Sequence, residues 1–332
     1  MNYLSVAIIS FVTLFVYRRL ALRLGILDQP NKRSSHTKPT VRGGGIVFPI
    51  LAIVWFVLND YQYPFFLSGI LLVALVSFTD DLRGLSFKLR LLTQFAAVAL
   101  MFLDVNSLGS SWIFLLALSI LSVGWLNAYN FMDGINGITS LYALSVLGSL
   151  WLTNKYVFFI EDSIIVTTVI TTAVFSFYNV RRKALLFAGD IGSVSLAFLL
   201  AFLMINLLAT SEYWFFILFF LVYGVDAVIT IVERLLQGEN IFEAHRSHLY
   251  QQLCNEFGWK HLQVAFIYAG TQLLISALII TGYLFKMPGY TYLIVAFITV
   301  AGYILLKSNL RRTLKTRTAL IIHDEGKNNS QL

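Results

Sequence analysis

A single cysteine, Cys254, in 332 residues rules out a disulfide framework and a zinc site built on cysteine pairs. Charge is scarce as well. Asp, Glu, Lys and Arg make up 12% of the chain, where a soluble domain carries about 25%. No G-x-x-x-x-G-K-[ST] stretch occurs, so the chain brings no P-loop for ATP. It shows no internal repeat, which speaks against an inverted-repeat transporter. The long apolar runs lack the alternation of a transmembrane barrel, and backbone groups in lipid must be satisfied internally. Only helices fit.

What is present is apolar sequence. Hydrophobic residues reach 58% and mean hydropathy is +0.76. Runs of about 15 to 22 such residues recur from end to end, lengths suited to a hydrocarbon core of about 30 Å. The expectation is an all-α polytopic membrane protein with about eleven transmembrane helices, near residues 2–17, 44–58, 65–79, 91–104, 112–128, 138–153, 163–179, 191–209, 213–235, 262–285 and 290–306. The first run has no basic residue before it and Arg18, Arg19 and Arg23 after it. That is the reverse of a cleavable signal peptide, so it reads as a retained helix.

Threading the runs alternately places 22 of the 24 Lys and Arg on one side, all but Lys155 and Lys286. By the positive-inside rule that side is cytoplasmic, with the amino terminus outside and the carboxyl terminus in the cytoplasm. The net charge of +7 follows from this bias. It gives no reason to expect nucleic acid, and it favours anionic headgroups and phosphate-bearing substrates. Residues 1–306 read as one membrane catalytic domain, and 307–332 as a basic, then polar, cytoplasmic tail that frays.

Carboxylates are expensive near lipid, so those flanking the apolar runs invite a functional reading. Asp80 and Asp81 end the third run, where the negative end of a helix dipole makes an adjacent acid pair unfavourable without a partner. Asn127, Asn130 and Asp133 follow the fifth at i, i+3 spacing, which stacks them on one stripe, with Gly134 as a helix stop. They offer neutral and charged oxygens that a hard cation such as Mg²⁺ accepts. Asp190 opens the eighth run between Gly189 and Gly192, where small residues let a phosphate or metal approach the backbone. Each motif also has a plain structural reading: a solvated interfacial pair, a polar turn, a helix N-cap. All four acids fall on the same side, where their mutual repulsion calls for a cation.

Two cytoplasmic loops stand apart. Residues 25–45 combine a basic cluster, His36 and three consecutive glycines. Residues 236–261 carry His245, Arg246 and His248 in a stretch, Gln237–Gln252, read as partly helical. The histidine spacing is not the i, i+4 of a helical zinc pair, and contact with a diphosphate or sugar suits these residues better. Asp226 lies within the ninth run and reads as a structural acid bonded to another helix. A secondary transporter or lipid flippase would use it as the coupling site.

The stretches DQPNKRSSHTKPTVRGGG, DDLRGLSFKLRLLTQF, NAYNFMDGING, FAGDIGS and HRSHLYQQL, in this order, resemble the polyprenyl-phosphate N-acetylhexosamine-1-phosphate transferases, the MraY/WecA-like family. The last motif and the SSHTKPTVRGGG loop are most similar to its WbpL-like branch, which starts O-antigen chains. The resemblance implies transfer of sugar-1-phosphate from a UDP-N-acetylhexosamine to undecaprenyl phosphate, with release of UMP and with Mg²⁺ or Mn²⁺. It implies a bacterial inner-membrane enzyme with a cytoplasmic active site and admits a homodimer. Asp190 and Asn130 would hold the metal, and one of Asp80 and Asp81 would deprotonate or position the lipid phosphate. Asp133 would support the metal site or the nucleotide, while His245, Arg246 and His248 would grip the diphosphate-sugar. Asn127 and Lys88 are further candidates for substrate contact. The family usually shows Asp-Gly-x-Asp-Gly where this chain has Asn136 in place of the second acid, which loses a charge at that position.

Overall fold

The computed structural model describes residues 2–30, 35, 38–105, 111–240 and 246–329. It forms two compact units, 1–287 and 288–332. The larger opens with α1 (Tyr3–Leu24), capped by the Asn2 side chain and stopped at Gly25 with φ 71°. α1 outlasts the expected span by a full turn and more. Arg18, Arg19 and Arg23 ride on its end, where cations suit the dipole. A two-residue antiparallel pairing of β1 (Leu27–Asp28) with β2 (Thr40–Val41) closes the loop that follows.

The chain then continues through α2 (Val47–Leu58), α3 (Pro64–Arg83), α4 (Phe87–Leu103), α5 (Trp112–Phe131), α6 (Ile138–Asn154), α7 (Asp162–Asn179) and α8 (Gly189–Ser211). A 3₁₀ segment, Trp214–Phe220, leads into α9 (Leu221–Leu236), and α10 (Leu249–Asn255) precedes α11 (His261–Leu284). In the second unit α12 (Gly289–Asn329) is one helix that runs without a break through the expected boundary at 306. Helix thus occurs at each of the eleven expected places. Among the described residues seven of these segments are long and apolar enough to cross a membrane, and the fold is an all-α polytopic membrane protein.

α8 is the axis of the first unit. It is apolar all round, and every residue of its membrane-length stretch is buried, the pattern of a helix surrounded by others. It packs on α3, α5, α6 and α2. The outer helices show the reverse: Ile8 and Phe15 on α1, Leu75 on α3, and Ile113 and Ile120 on α5 are exposed, apolar faces that only lipid would cover. The chain passes back and forth around α8. This brings the carboxyl end of α3, the amino end of α4, the carboxyl end of α5 and the amino end of α8 to one end of the unit.

Candidate active site

Glycine builds this end. Residues Gly44–Ile46 form a 3₁₀ turn whose amides donate to α8's approach: Gly44 to the Phe187 carbonyl at 2.8 Å and Gly45 to Ala188 at 3.0 Å. A Cβ on Gly45 would overlap Gly192 Cα, so the turn and the first turn of α8 touch backbone to backbone. Gly189, at φ 71°, takes the left-handed conformation, and a Cβ there would lie 2.6 Å from an Asp81 oxygen. The glycines therefore bring protein backbone, rather than a ligand, up to α8.

The carboxylates converge there. Asp81 caps α8: one oxygen accepts from the Asp190 amide at 3.0 Å and the other from Ile191 at 3.1 Å. Its side chain is only 1% exposed. An acid at the negative end of α3 is thus matched to the positive end of α8. Asp190 does not cap its own helix, as its identity had suggested. The N-cap is Ala188, and Asp190 stands in the first turn.

Arg42 reaches across, 2.6 Å from Asp81 and 3.0 Å from Asp190. Arg90 on α4 lies 2.7 Å from Asp80 and 3.7 Å from Asp190. Asp80 also accepts from the Leu85 amide at 2.5 Å, which closes the turn after α3. The repulsion among three acids is therefore offset by two guanidinium groups of the protein itself. Asp190 is the most accessible of the three, 21% exposed against 9% for Asp80 and 1% for Asp81.

Asn130 at the end of α5 accepts from the Ser193 hydroxyl at 2.5 Å, tying it to α8 one turn past Asp190. Asn127 lies one turn earlier and donates to Gln94 at 2.6 Å. Arg90, Gln94, Asn127, Asn130 and Asp190 line one small crevice. Lys88 is exposed on α4 and lies outside these ion pairs; two residues on, Arg90 faces the acids.

Asp133 follows α5, half-buried, and accepts from the Thr139 hydroxyl. Burial pushes its carboxyl up to about 6; the Thr139 bond and Arg42 lower it, and Asp190 and Asp28 add to the rise. It thus lies within the electrostatic field of the cluster. Gly134 is not the helix stop that its type suggests, because α5 already ends at Phe131. It makes room for the Tyr250 ring, whose hydroxyl donates to the Phe131 carbonyl at 2.8 Å.

That contact docks α10 on the site. The helix in the 236–261 loop is Leu249–Asn255, later than the Gln237–Gln252 stretch expected, with His248 as its N-cap. His248 is buried, its Nδ1 3.0 Å from Asp226. Asp226 is fully buried and also accepts from Tyr268 at 2.6 Å and from the Leu249 amide at 3.3 Å. It holds α10 in place, as the structural reading expected. Arg246 is half-buried, while His245 and His36 lie outside the described residues. Among the described residues no three His, Cys, Asp or Glu side chains gather as a metal cage.

Three residues on from Asp133, Asn136 lines a cavity of about 750 Å³ with Phe187, Lys38, Arg182, Lys183, Lys260 and others. Among the described residues, four Lys and Arg and no acid face it. Arg42, Arg90 and this basic wall went unnoticed in the sequence because they sit among the basic residues of cytoplasmic-type loops. Carboxylate neighbours distinguish Arg42 and Arg90, and a shared cavity distinguishes the wall.

Residues 63–208 match the model of glycosyl transferase family 4, which takes in Asp80, Asp81, Asn130, Asp133 and Asp190. The chain is similar to a probable undecaprenyl-phosphate N-acetylglucosaminyl 1-phosphate transferase of Bacillus subtilis (strain 168), 26% identical over 290 residues, 79% of this chain and 80% of the relative. It is similar to the phospho-N-acetylmuramoyl-pentapeptide-transferase of Halalkalibacterium halodurans, 23% identical over 84% of this chain and 94% of that protein. The undecaprenyl-phosphate alpha-N-acetylglucosaminyl 1-phosphate transferase of Escherichia coli (strain K12) is 24% identical over 74% of each chain.

Proposed function

We propose, on the premise that the chain belongs to glycosyl transferase family 4 through residues 63–208, that it moves an N-acetylhexosamine-1-phosphate from a UDP-sugar to undecaprenyl phosphate. The observation that carries this is the convergence of Asp80, Asp81 and Asp190 with Arg42 and Arg90 at one end of a membrane bundle. Relatives named for undecaprenyl-phosphate N-acetylglucosaminyl 1-phosphate transfer support it. An oxygen of the acceptor phosphate attacks the sugar-bearing phosphorus, and the bond to UMP breaks. One phosphoanhydride is lost and one gained, so the step is near balance and needs no ATP.

The residues divide the work. Asp190, the most open of the acids, and Asn130 offer the hard oxygen donors that suit Mg²⁺ or Mn²⁺, an ion that takes one or two protein ligands and completes its shell with water and phosphate. When bound, such an ion neutralises charge on the phosphates being exchanged. Asp81 holds the first turn of α8, and so the Asp190 backbone, in place. Arg90 lines the crevice with Asn130 and Asp190 and pairs with Asp80, so this corner is assigned to the acceptor phosphate, with Asp80 rather than the sealed Asp81 as the acid that takes its proton. The basic cavity lined by Asn136 takes the nucleotide diphosphate of the donor. His248, braced by Asp226, fixes α10 against that end. The transporter reading gains nothing, because Asp226 is fully buried within a hydrogen-bonded network.

The setting proposed is a bacterial inner membrane crossed eleven times, with the site on the cytoplasmic face, starting an O-antigen or related envelope polysaccharide. Purified protein, undecaprenyl phosphate and a panel of UDP-sugars test it: UDP-GlcNAc, UDP-GalNAc and the 6-deoxy sugars UDP-N-acetylfucosamine and UDP-N-acetylquinovosamine. A radiolabelled glycolipid and stoichiometric UMP are expected, both abolished by EDTA and restored by Mg²⁺. Asp190→Ala should lose at least about a hundredfold in rate, on the order of 2.7 kcal/mol of transition-state stabilisation. No product from any sugar, or full activity in Asp190→Ala, would refute the reading.

A further inference from the structure

The Asn136 side chain sits against backbone carbonyls, which restricts what it can be doing. Its Nδ2 donates to the Arg181 carbonyl at 2.9 Å and to the Arg182 carbonyl at 3.3 Å. Carbonyls only accept, so the amide nitrogen must face them, and a carboxylate in its place would meet two oxygens with no proton to share. The Asn136 backbone N–H donates to His261 Nδ1, 3.4 Å away on the first residue of α11. The next amide, Gly137, donates to Asn179 Oδ1 at 2.8 Å, and the Asn179 Nδ2 donates to the Leu186 carbonyl at 2.9 Å. Both asparagines are buried, at 5% and 3% exposure. Between them they clamp the loop from α7 to α8 at its two ends, near residues 181–182 and at 186.

That loop carries Arg182 and Lys183, which are exposed and line the basic cavity, as do Asn136 and His261. Among the described residues no acid lines that cavity to order these cations, so their placement depends on the backbone that bears them.

We propose that Asn136, with Asn179, is a positioning residue that holds the Arg182–Lys183 wall of this cavity where an anionic nucleotide-sugar can meet it. The proposal rests on reading the cavity as the donor site. It assigns the exchange of Asp for Asn in the Asp133-Gly134-Ile135-Asn136-Gly137 stretch a structural consequence: the residue serves as a donor to the neighbouring loop, where an acid would have to act through its oxygens. Asn136 touches no reacting atom in this scheme. Its loss should weaken donor binding and leave the chemistry at Asp190 alone.

Asn136→Asp in the full-length, detergent-purified protein is the test, read in two ways. The first is steady-state kinetics with the UDP-sugar that the wild type uses. The KM for the donor should rise about tenfold, with kcat within about twofold of wild type. The second is limited trypsin digestion, which needs no substrate. Cutting after Arg181, Arg182 or Lys183 should be at least about fivefold faster once the clamp is gone, because the loop opens locally. Asn136→Ala removes the donors without adding charge; it should give the same split and replaces the Asp variant if that one does not fold. Unchanged KM and unchanged cutting would overturn the proposal, as would a fall in kcat with KM held, which would place Asn136 at the reacting groups. Failure of the wild type to turn over any UDP-sugar would instead refute the functional reading, and the trypsin comparison alone would then decide the role of Asn136.

Discussion

Asp133 shows the cost of burying an acid at a position to which the proposed reaction gives a role. Its carboxyl sits at about 6 in the folded protein, raised chiefly by burial, against 3.8 for an ordinary aspartate. Between those values the native state binds the proton more tightly than the unfolded chain. Stability contributed at this position is therefore highest at or below about pH 4, falls as pH rises towards 6, and is not regained above it. Thermal unfolding of the EDTA-treated protein, followed from pH 4 to 7, should show this slope, and Asp133→Asn should flatten it. Parallel curves for the two proteins would show that Asp133 is not perturbed.

The acids could be found in the sequence because a carboxylate beside an apolar run has few bland explanations. Their partners could not. Arg42 and Arg90 are two of 24 basic residues, most of them on the side the positive-inside rule populates anyway, so residue type alone sets neither apart from Lys88. Asn179 lay hidden for the same reason, as a polar residue at a helix end where polar residues are common.

Among the elements, the start of α8 organises the site. Four features meet on its first turn: the Asp81 carboxylate on the Asp190 and Ile191 amides, the Gly44–Ile46 turn against Gly192, the Ser193 hydroxyl on Asn130, and Arg42 across Asp190. The glycines of both segments stood out in the sequence, but smallness does not say what approaches. The partner here is a stretch about 150 residues away in the chain. Gly192→Ala would press a methyl into Gly45 Cα, 2.7 Å from where it would sit, and would displace the turn that follows Arg42. Overpacking of this kind costs about 1–3 kcal/mol, and the transfer rate should fall at least tenfold with the melting temperature. Gly148→Ala on α6 is the control. A Cβ there meets nothing within 4 Å, and alanine is the better helix former by up to about 1 kcal/mol. If Gly192→Ala melts and turns over like Gly148→Ala, the backbone contact does not set the site.

At the scale of the whole molecule, the hydrophobic runs located the helices well, because period and length are local properties. They could not show that α8 would be enclosed while α1 keeps an apolar outer face, since both read as apolar all along. Nor does a helix list fix which way the bundle faces. Charge does, and α7 is the place to ask. It is 18 residues long, about 27 Å at 1.5 Å per residue, close to the thickness of a hydrocarbon core. At its amino end Lys155 pairs with Asp162 in a link with one basic residue; at its carboxyl end stand Arg181, Arg182 and Lys183. The proposed orientation puts Lys155 outside and Lys183 in the cytoplasm. Single cysteines at 155 and 183, probed in intact cells with a membrane-impermeant maleimide, should label at 155 only, and 183 should react after permeabilisation. The native thiol interferes little, because burial pushes Cys254 up to about 12 and leaves almost no thiolate at neutral pH. Labelling of both sites from one side would mean that α7 does not cross. Reversed labelling would place the carboxylate cluster outside the cell, away from any supply of nucleotide-activated sugar, and would end the case for this enzyme at that membrane face.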